Sequence, residues 1–317
     1  MRRLALALAV LLGLPSAALA QSYPAKPIRL VIGFPQGGPN DILGRIVAGW
    51  LTQRLGQPVN VDNVGGSSGN IATGQVVKAT PDGYTLLLVG PANAISGSNP
   101  NLPFVFLRDI AVIGGITREA LVLVVHPSVA ARTPADLIGL IKGGQAKLRM
   151  ASTGVGSSPH LSGELFKTMT GLEMPVVHYQ GGGPALKAMI AGEAEVMFEP
   201  MSASIEPVRS GKLRGLAVST TTRSAAMPDL PVLADTVPGY EASAVTGLGA
   251  PVGTPAEVIG TLNAALNAAF TDPTMKARLA DTGGEPLPGT PAAFATLMKA
   301  ETEKWGRVLK AAGIKAN

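Results

Sequence analysis

The sequence contains no cysteine. That excludes thiol catalysis and thiolate metal sites, and it leaves an oxidising compartment tolerable without disulfides, which a core of this size does not need. Aromatic residues make up 4% of the 317 positions, too few for a base-stacking nucleic-acid surface. Charged residues are 15%, and no run of Lys or Arg occurs beyond the Arg2–Arg3 pair. No Gly-Lys-Ser/Thr appears, so there is no Walker A loop, and "GFPQGG" does not fit a dinucleotide fingerprint. No His-x-x-x-His or acidic loop suggests a metal, and the only histidines are His126, His160 and His178. Acid–base catalysis by Glu193 and Glu195 has no support, because no second group sets their pKa values apart. After the first twenty residues, polar residues, Gly and Pro interrupt every apolar run before it reaches the length of a membrane span.

Hydrophobic residues are 46%. That is enough for one large domain or two lobes of ordinary size. The formal net charge is +5, or about +3 without Arg2 and Arg3. Such an excess serves either ordinary solubility or the attraction of anions. The N-terminus reads as a secretory signal peptide over residues 1–20. It has basic Arg2–Arg3, an apolar stretch from Leu4 to Leu14 and a small-x-small site at Ala18–Ala20. Gln21 is then the first mature residue, no cysteine follows for lipid attachment, and the expected location is the periplasm.

Strand and helix signals alternate along the rest. Strands are expected at Ile28–Ile32, Val59–Asp62, Tyr84–Val89, Ala120–Ser128, Leu148–Ala151, Val176–Tyr179, Glu195–Phe198 and Leu216–Ser219. Helices are expected over Asp41–Leu55, capped by Asn40 and stopped by Gly56, and over Asn70–Ala79, His160–Met169 and Ala185–Ala191. Capping boxes at Thr133–Asp136 and Thr254–Glu257 open further helices, and helices over 255–270, 273–282 and 291–312 close the chain. Trp50, Met169 and Met174 read as packing. The alternation favours mostly parallel sheet with helices on both faces. No polar linker divides the chain. Two lobes joined by strands fit this text, with crossings near Leu121–Val125 and Ala244–Pro251.

Three strand-to-helix loops stand out: Phe34–Asn40, Ser152–Pro159 and Gln180–Pro184. A helix start exposes unpaired N–H groups and a partial positive charge, and glycine lets the backbone approach a ligand closely. Together they form an anion site without a cationic side chain, suited to small carboxylates or inorganic anions. The alternative is three plain tight turns. A second alternative is enzymatic. Gly65-Gly-Ser-Ser-Gly69 matches G-x-S-x-G between a strand and a helix, which would make Ser67 the nucleophile of a serine hydrolase. That reading needs a later acid and a later histidine, and no histidine lies in the final third.

The segments "YPAKPIRLVIGFPQGGPND", "LGQPVNVDNVGGSSGNIATGQVVKATPDGYTLLL", "ASTGVGSSPHLSGELFK", "GKLRGLAVST" and "LPGTPAAFATLMKAETEKWGRVLKAAGI" resemble the Bug family, the periplasmic receptors of tripartite tricarboxylate transporters. The resemblance spans essentially the whole mature chain. It implies an α/β fold of periplasmic-binding-protein type, type II-like, with two lobes that each hold a mostly parallel sheet flanked by helices. Lobe 1 would comprise residues 21–123 and 247–317, and lobe 2 residues 124–246. The chain would be a non-catalytic monomer that closes on a small organic carboxylate and offers it to a cognate membrane permease, without cofactor, metal or nucleic acid. Carried over by position, Phe34, Gln36, Gly37, Gly38 and Asp41 belong to the first-lobe pincer. Ser152, Thr153, Gly154, Gly156, Ser157, Ser158 and His160 belong to the second loop, and Tyr179, Gly181 and Gly183 to the third. Three departures matter. Gln36 stands where the family usually has a second proline. Phe198-Glu199-Pro200 replaces Phe-Asp-Asn, so Glu199 is placed to hold a ligand amino group or a water, or to turn away. "GPANAIS" is atypical and adds Asn93 as a candidate. A sensing role or a non-carboxylate solute stays open.

Overall fold

The structure is a computed structural model that describes residues 23–96, 102–144 and 147–314. The expected signal peptide and its cleavage site lie outside the described residues. In chain order the strands are β1 (Ile28–Ile32), β2 (Val59–Asn63), β3 (Thr85–Val89), β4 (Ile110–Val125), β5 (Met150–Ser152), β6 (Val176–His178), β7 (Val196–Pro200), β8 (Arg214–Val218), β9 (Ser243–Pro251) and β10 (Gly284–Pro286). The helices are α1 (Pro39–Leu55), α2 (Asn70–Val77), α3 (Pro91–Ser96), α4 (Phe106–Asp109), α5 (Pro134–Lys142), α6 (Ser158–Thr170), α7 (Gly182–Ala191), α8 (Met201–Arg209), α9 (Ala256–Ala269), α10 (Pro273–Asp281) and α11 (Pro291–Ala311). Among the described residues no helix is long and apolar enough to cross a membrane.

The strands form one mixed sheet in the order β2-β1-β3-β9-β4-β7-β5-β6, with β8 and β10 also pairing with β4. The expected parallel pairing is found on either side, at β2-β1-β3 and at β7-β5-β6. The middle is antiparallel, because β4 carries the chain from one half to the other and β9 runs back beside it. β4 begins ten residues before the apolar run suggested. Its first part pairs with β9 and β10, and from Leu121 it pairs with β7 and β8. Ala120 faces Ser243 at this changeover.

Alternation decides which layer each side chain joins. Ile28, Leu30 and Ile32 of β1 and Leu86 and Leu88 of β3 enter one core with Leu43, Val47 and Leu51 of α1. Val31, Leu87 and Val89 point the other way, into the core that also takes Leu121, Leu123 and Val125 of β4. Ala120, Val122 and Val124 of β4 enter a third, with Met197 and Met201. Each fully buried Val or Leu contributes about 1.5–3 kcal/mol relative to exposure, which is what fixes this register. α11 packs against β4, α3 and α6, so the last helix touches both halves.

Local signals were read correctly where they were self-contained. Thr133 and Asp136 form the expected capping box, and Gly56 closes α1 in the left-handed conformation. Two caps differ. α1 starts at Pro39 with Gly38 as its N-cap and no side-chain cap, so Asn40 lies inside the first turn. α9 has Pro255 at its N-cap, and Thr254 Oγ1 instead donates to the Pro251 carbonyl. Met174 is core, Trp50 donates to the Ala265 carbonyl at 2.8 Å, and Met169 is exposed rather than packed.

Candidate functional site

α1, α6 and α7 all begin at a single cavity of about 170 Å³. The size is comparable to the ~150 Å³ void known to admit a benzene-sized guest. Its walls are the Phe34–Asn40 loop, the Ser157–Pro159 corner and the Gln180–Pro184 loop, and its floor comes from β4, β7 and β9. The N-caps of α1 and α7 are glycines, Gly38 and Gly181, without side-chain caps. Their first-turn N–H groups therefore remain donors for something else. α6 differs: the Ser157 hydroxyl caps it, accepting from the His160 N–H and donating to the Gly154 carbonyl at 2.7 Å.

Two of the loops are held by the same device. The Gly37 N–H donates to Asp41 Oδ2 at 2.9 Å, four residues on, and the Gly156 N–H donates to His160 Nδ1 at 3.0 Å, also four residues on. Both glycines have positive φ, +84° and +78°, a conformation that other residues adopt only under strain. Both acceptors are buried. Burial works against the Asp41 carboxylate, but hydrogen bonds from Arg45, the Gly37 amide and Asn63 outweigh it and hold its pKa below the usual range. Burial, then the nearby His178 and Lys167 charges, push His160 down to about 4. Its imidazole is therefore neutral near pH 7, with Nδ1 as acceptor and the proton on Nε2, which faces Glu164 Oε1 at 3.8 Å.

The floor holds two acids. Glu199 is fully buried, and neither of its carboxyl oxygens has a hydrogen-bond partner among the described residues. Burial, and after it the Glu119 charge, raise its pKa well above the ordinary value. Glu119 accepts from the Ser202 N–H at 2.8 Å, and burial outweighs that bond and raises its pKa to about 7. Among the described residues, no other ionisable side chain lines the cavity.

Of the residues expected from the sequence, Phe34, Gln36, Gly37, Gly38, Thr153, Ser157, Ser158, Gly181, Gly183 and Glu199 line this cavity. Gly154 and Tyr179 line a neighbouring, more open cleft that shares Phe34, Thr153 and Gly181 with it. Five others stand behind the walls. Asp41, Gly156 and His160 form the loop ties described above. Ser152 exchanges hydrogen bonds with Gly154 and lies 3.1 Å from His178 Nδ1. Asn93 has both ends engaged, by the Gly90 N–H and by Thr73 Oγ1, each at 2.8 Å. Sequence reasoning missed Glu119, Ala244 and Thr246. The one available signal was an isolated acid, Glu119, at the head of the apolar run that follows it.

The loops from the two halves meet. A Cβ on Gly156 would lie 2.1 Å from Ile95 Cδ1, one on Gly181 3.5 Å from Pro35 Cδ, and one on Gly154 2.9 Å from Ser68 Oγ. Ser67 lies on the open cleft, in a one-turn 3-10 segment. Among the described residues, the imidazole–hydroxyl hydrogen bonds are His126–Ser128 and His178–Ser152, and Ser67 takes part in neither. No group of three metal-ligating side chains occurs among the described residues.

Residues 43–314 match the family model described as the tripartite tricarboxylate transporter family receptor. Protein BugT of Bordetella pertussis is 33% identical over 307 residues, covering 96% of this chain and 94% of BugT. Among solved structures, Rpa4515 of R. palustris, solved with adipate, is 34% identical with a TM-score of 0.88, covering 92% of this chain and 99% of that one. The periplasmic binding protein BugD is 28% identical with a TM-score of 0.86, covering 92% and 99%. MatC of Rhodopseudomonas palustris, with bound malate, is 27% identical with a TM-score of 0.83, covering 90% and 100%.

Proposed function

Because the chain belongs to the tripartite tricarboxylate transporter receptor family, we propose that it is a non-catalytic periplasmic receptor that captures a small organic carboxylate between two lobes. The observation that carries this reading is the convergence of α1, α6 and α7 on one cavity that, among the described residues, has no basic side chain. An anion held there is met by backbone N–H groups and helix dipoles, each end contributing about half a unit of positive charge. Adipate and malate in two structural relatives support a carboxylate as ligand. The ligand-contacting groups are the Phe34–Gly38, Thr153, Ser157, Ser158 and Gly181–Gly183 backbones and hydroxyls. Asp41 and His160 act through the loops they hold.

The lobes are residues 21–123 with 247–317, and 124–246, joined through β4 and the start of β9. Opening and closing occur by hinge motion there, and the Gly156–Ile95 and Gly181–Pro35 approaches are contacts of the closed form. The protein is exported with cleavage after Ala20, acts as a monomer and delivers its ligand to a cognate permease. The test is a thermal-shift screen of the chain from Gln21, unfolded and refolded to strip any co-purified ligand, against mono-, di- and tricarboxylates. A ligand at one hundred times its Kd adds about 2.7 kcal/mol of stability. The amide of the hit should give no shift, and a panel with no shift at all overturns the reading.

A further inference from the structure

The cavity has two unlike ends. Its rim is a ring of helix starts, which favours negative charge. Its floor carries Glu119 and Glu199, and among the described residues nothing basic lines the cavity. The two acids arrive from different strands. Glu119 sits on β4 beside the changeover to the second half, and Glu199 on β7, paired with Val122 of the same strand.

The floor is unsatisfied as it stands. Both Glu199 oxygens lack a partner although the side chain is fully buried, whereas one Glu119 oxygen takes the Ser202 N–H. A buried carboxyl without partners is costly, and two within each other's field cannot both ionise cheaply. A ligand group that brings several N–H donors and one positive charge removes both costs together. A second ligand carboxylate does the reverse, adding a third acid where two already compete. An alkyl end leaves the oxygens unsatisfied.

Resting on the carboxylate-receptor reading, we infer that the ligand is a zwitterion: its carboxylate lies at the helix starts, and a protonated primary amine lies at the floor between Glu119 and Glu199. The chemical class is therefore a small amino acid, with the position of the amine along the chain set by the distance from rim to floor. Among the lining residues, Glu119 and Glu199 are the specificity determinants for the amine.

Isothermal titration of the refolded chain tests this with matched acids of three to six carbons, each as monocarboxylate, dicarboxylate, α-amino acid and ω-amino acid. One amino acid should bind at least about tenfold more tightly than the dicarboxylate and monocarboxylate of equal length. Glu199→Gln and Glu119→Gln keep the side-chain shape and remove the charge, and each should cut that preference to about threefold or less while leaving carboxylate binding measurable. The melting temperature of Glu199→Gln, expected at or above that of the parent chain, verifies that it folds. Tighter binding of a dicarboxylate or monocarboxylate overturns the inference and leaves the carboxylate receptor standing. An amine preference that survives both substitutions overturns the role of the two acids. No heat with any of these acids overturns the inference together with the reading beneath it.

Discussion

In the first half of the molecule a carboxylate accepts the Gly37 N–H; in the second half an imidazole accepts the Gly156 N–H at the same spacing of four residues. The geometry is shared and the charge is not. Asp41 is ionised, supported by Arg45, and it sits in the first turn of α1, where its negative charge offsets part of the helix's positive end. His160 is neutral, so the start of α6 keeps its full positive potential, but there the Ser157 hydroxyl has taken one of the N–H donors. Each loop thus gives up something different: α1 gives up potential and keeps its donors, while α6 keeps potential and uses a donor internally. A binding loop needs its backbone fixed before ligand arrives, and a side chain tied back to a glycine N–H achieves that without entering the cavity.

The comparison breaks most strongly at the side chains themselves. His160→Ala removes a fully packed ring as well as the acceptor for Gly156, and should cost about 3–4 kcal/mol in urea unfolding. Asp41→Ala removes only the hydrogen-bonding group, since Arg45 can turn to water, and should cost about 2 kcal/mol. Equal losses would mean that ring packing contributes nothing. The glycines come next. Gly156→Ala meets positive-φ strain and the Ile95 methyl together, and should cost about 2–3 kcal/mol. At Gly37 nothing lies within reach of an added Cβ, so Gly37→Ala carries the strain alone, about 1 kcal/mol. If the two alanines destabilise alike, the approach of α3 to the second loop is not what constrains Gly156.

Acidity separates the two ties by window, since both lose stability as pH falls. His160 has a folded pKa of about 4 against an ordinary 6.5, so its contribution is present above 6.5 and is lost as pH falls toward 4. Asp41, lowered from 3.8, keeps its contribution until pH drops below that value. Chemical unfolding at pH 7, 5 and 4 should therefore show a fall that His160→Gln flattens and Asp41→Asn leaves in place. The floor runs the opposite way. Glu119 is raised from 4.5 to about 7, so its contribution is full below 4.5 and is lost as pH rises through 7. Glu119→Gln should flatten this smaller rise toward acid. A Glu119→Gln profile identical to that of the parent chain would place the ionisation of Glu119 in its ordinary range.

The ties also show where sequence reading works. Asp41 and His160 were picked out as members of the Gly-rich loops, and a contact over four residues is nearly a local property. The roles split only in the structure: His160, assigned to the second loop with the ligand-facing residues, accepts the Gly156 N–H behind the wall. Asn93 came from unusual text and proves engaged with Gly90 and Thr73. The cap expected from Asn40 failed for a local reason. Pro39 fits the first helical position and starts the helix two residues before the expected Asp41. α8 went unread because Pro207 interrupts its helical text, and the start of β4 because Gly114 and Gly115 break its apolar run.

By itself the sequence determined the alternation of strands and helices, the three glycine-rich helix starts, the exclusion of thiol and phosphate-loop chemistry, and the resemblance to carboxylate receptors. These follow from spacing, composition and short motifs, whose physics acts over a few residues. Only the tertiary structure decided that β4 starts ten residues before its apolar run, that β9 returns antiparallel beside it, and that Glu119 and Glu199 share one buried floor. Eighty positions separate those acids in the chain. Their meeting depends on strand register and on which face is buried, and both are set by the packing of the whole sheet rather than by either neighbourhood.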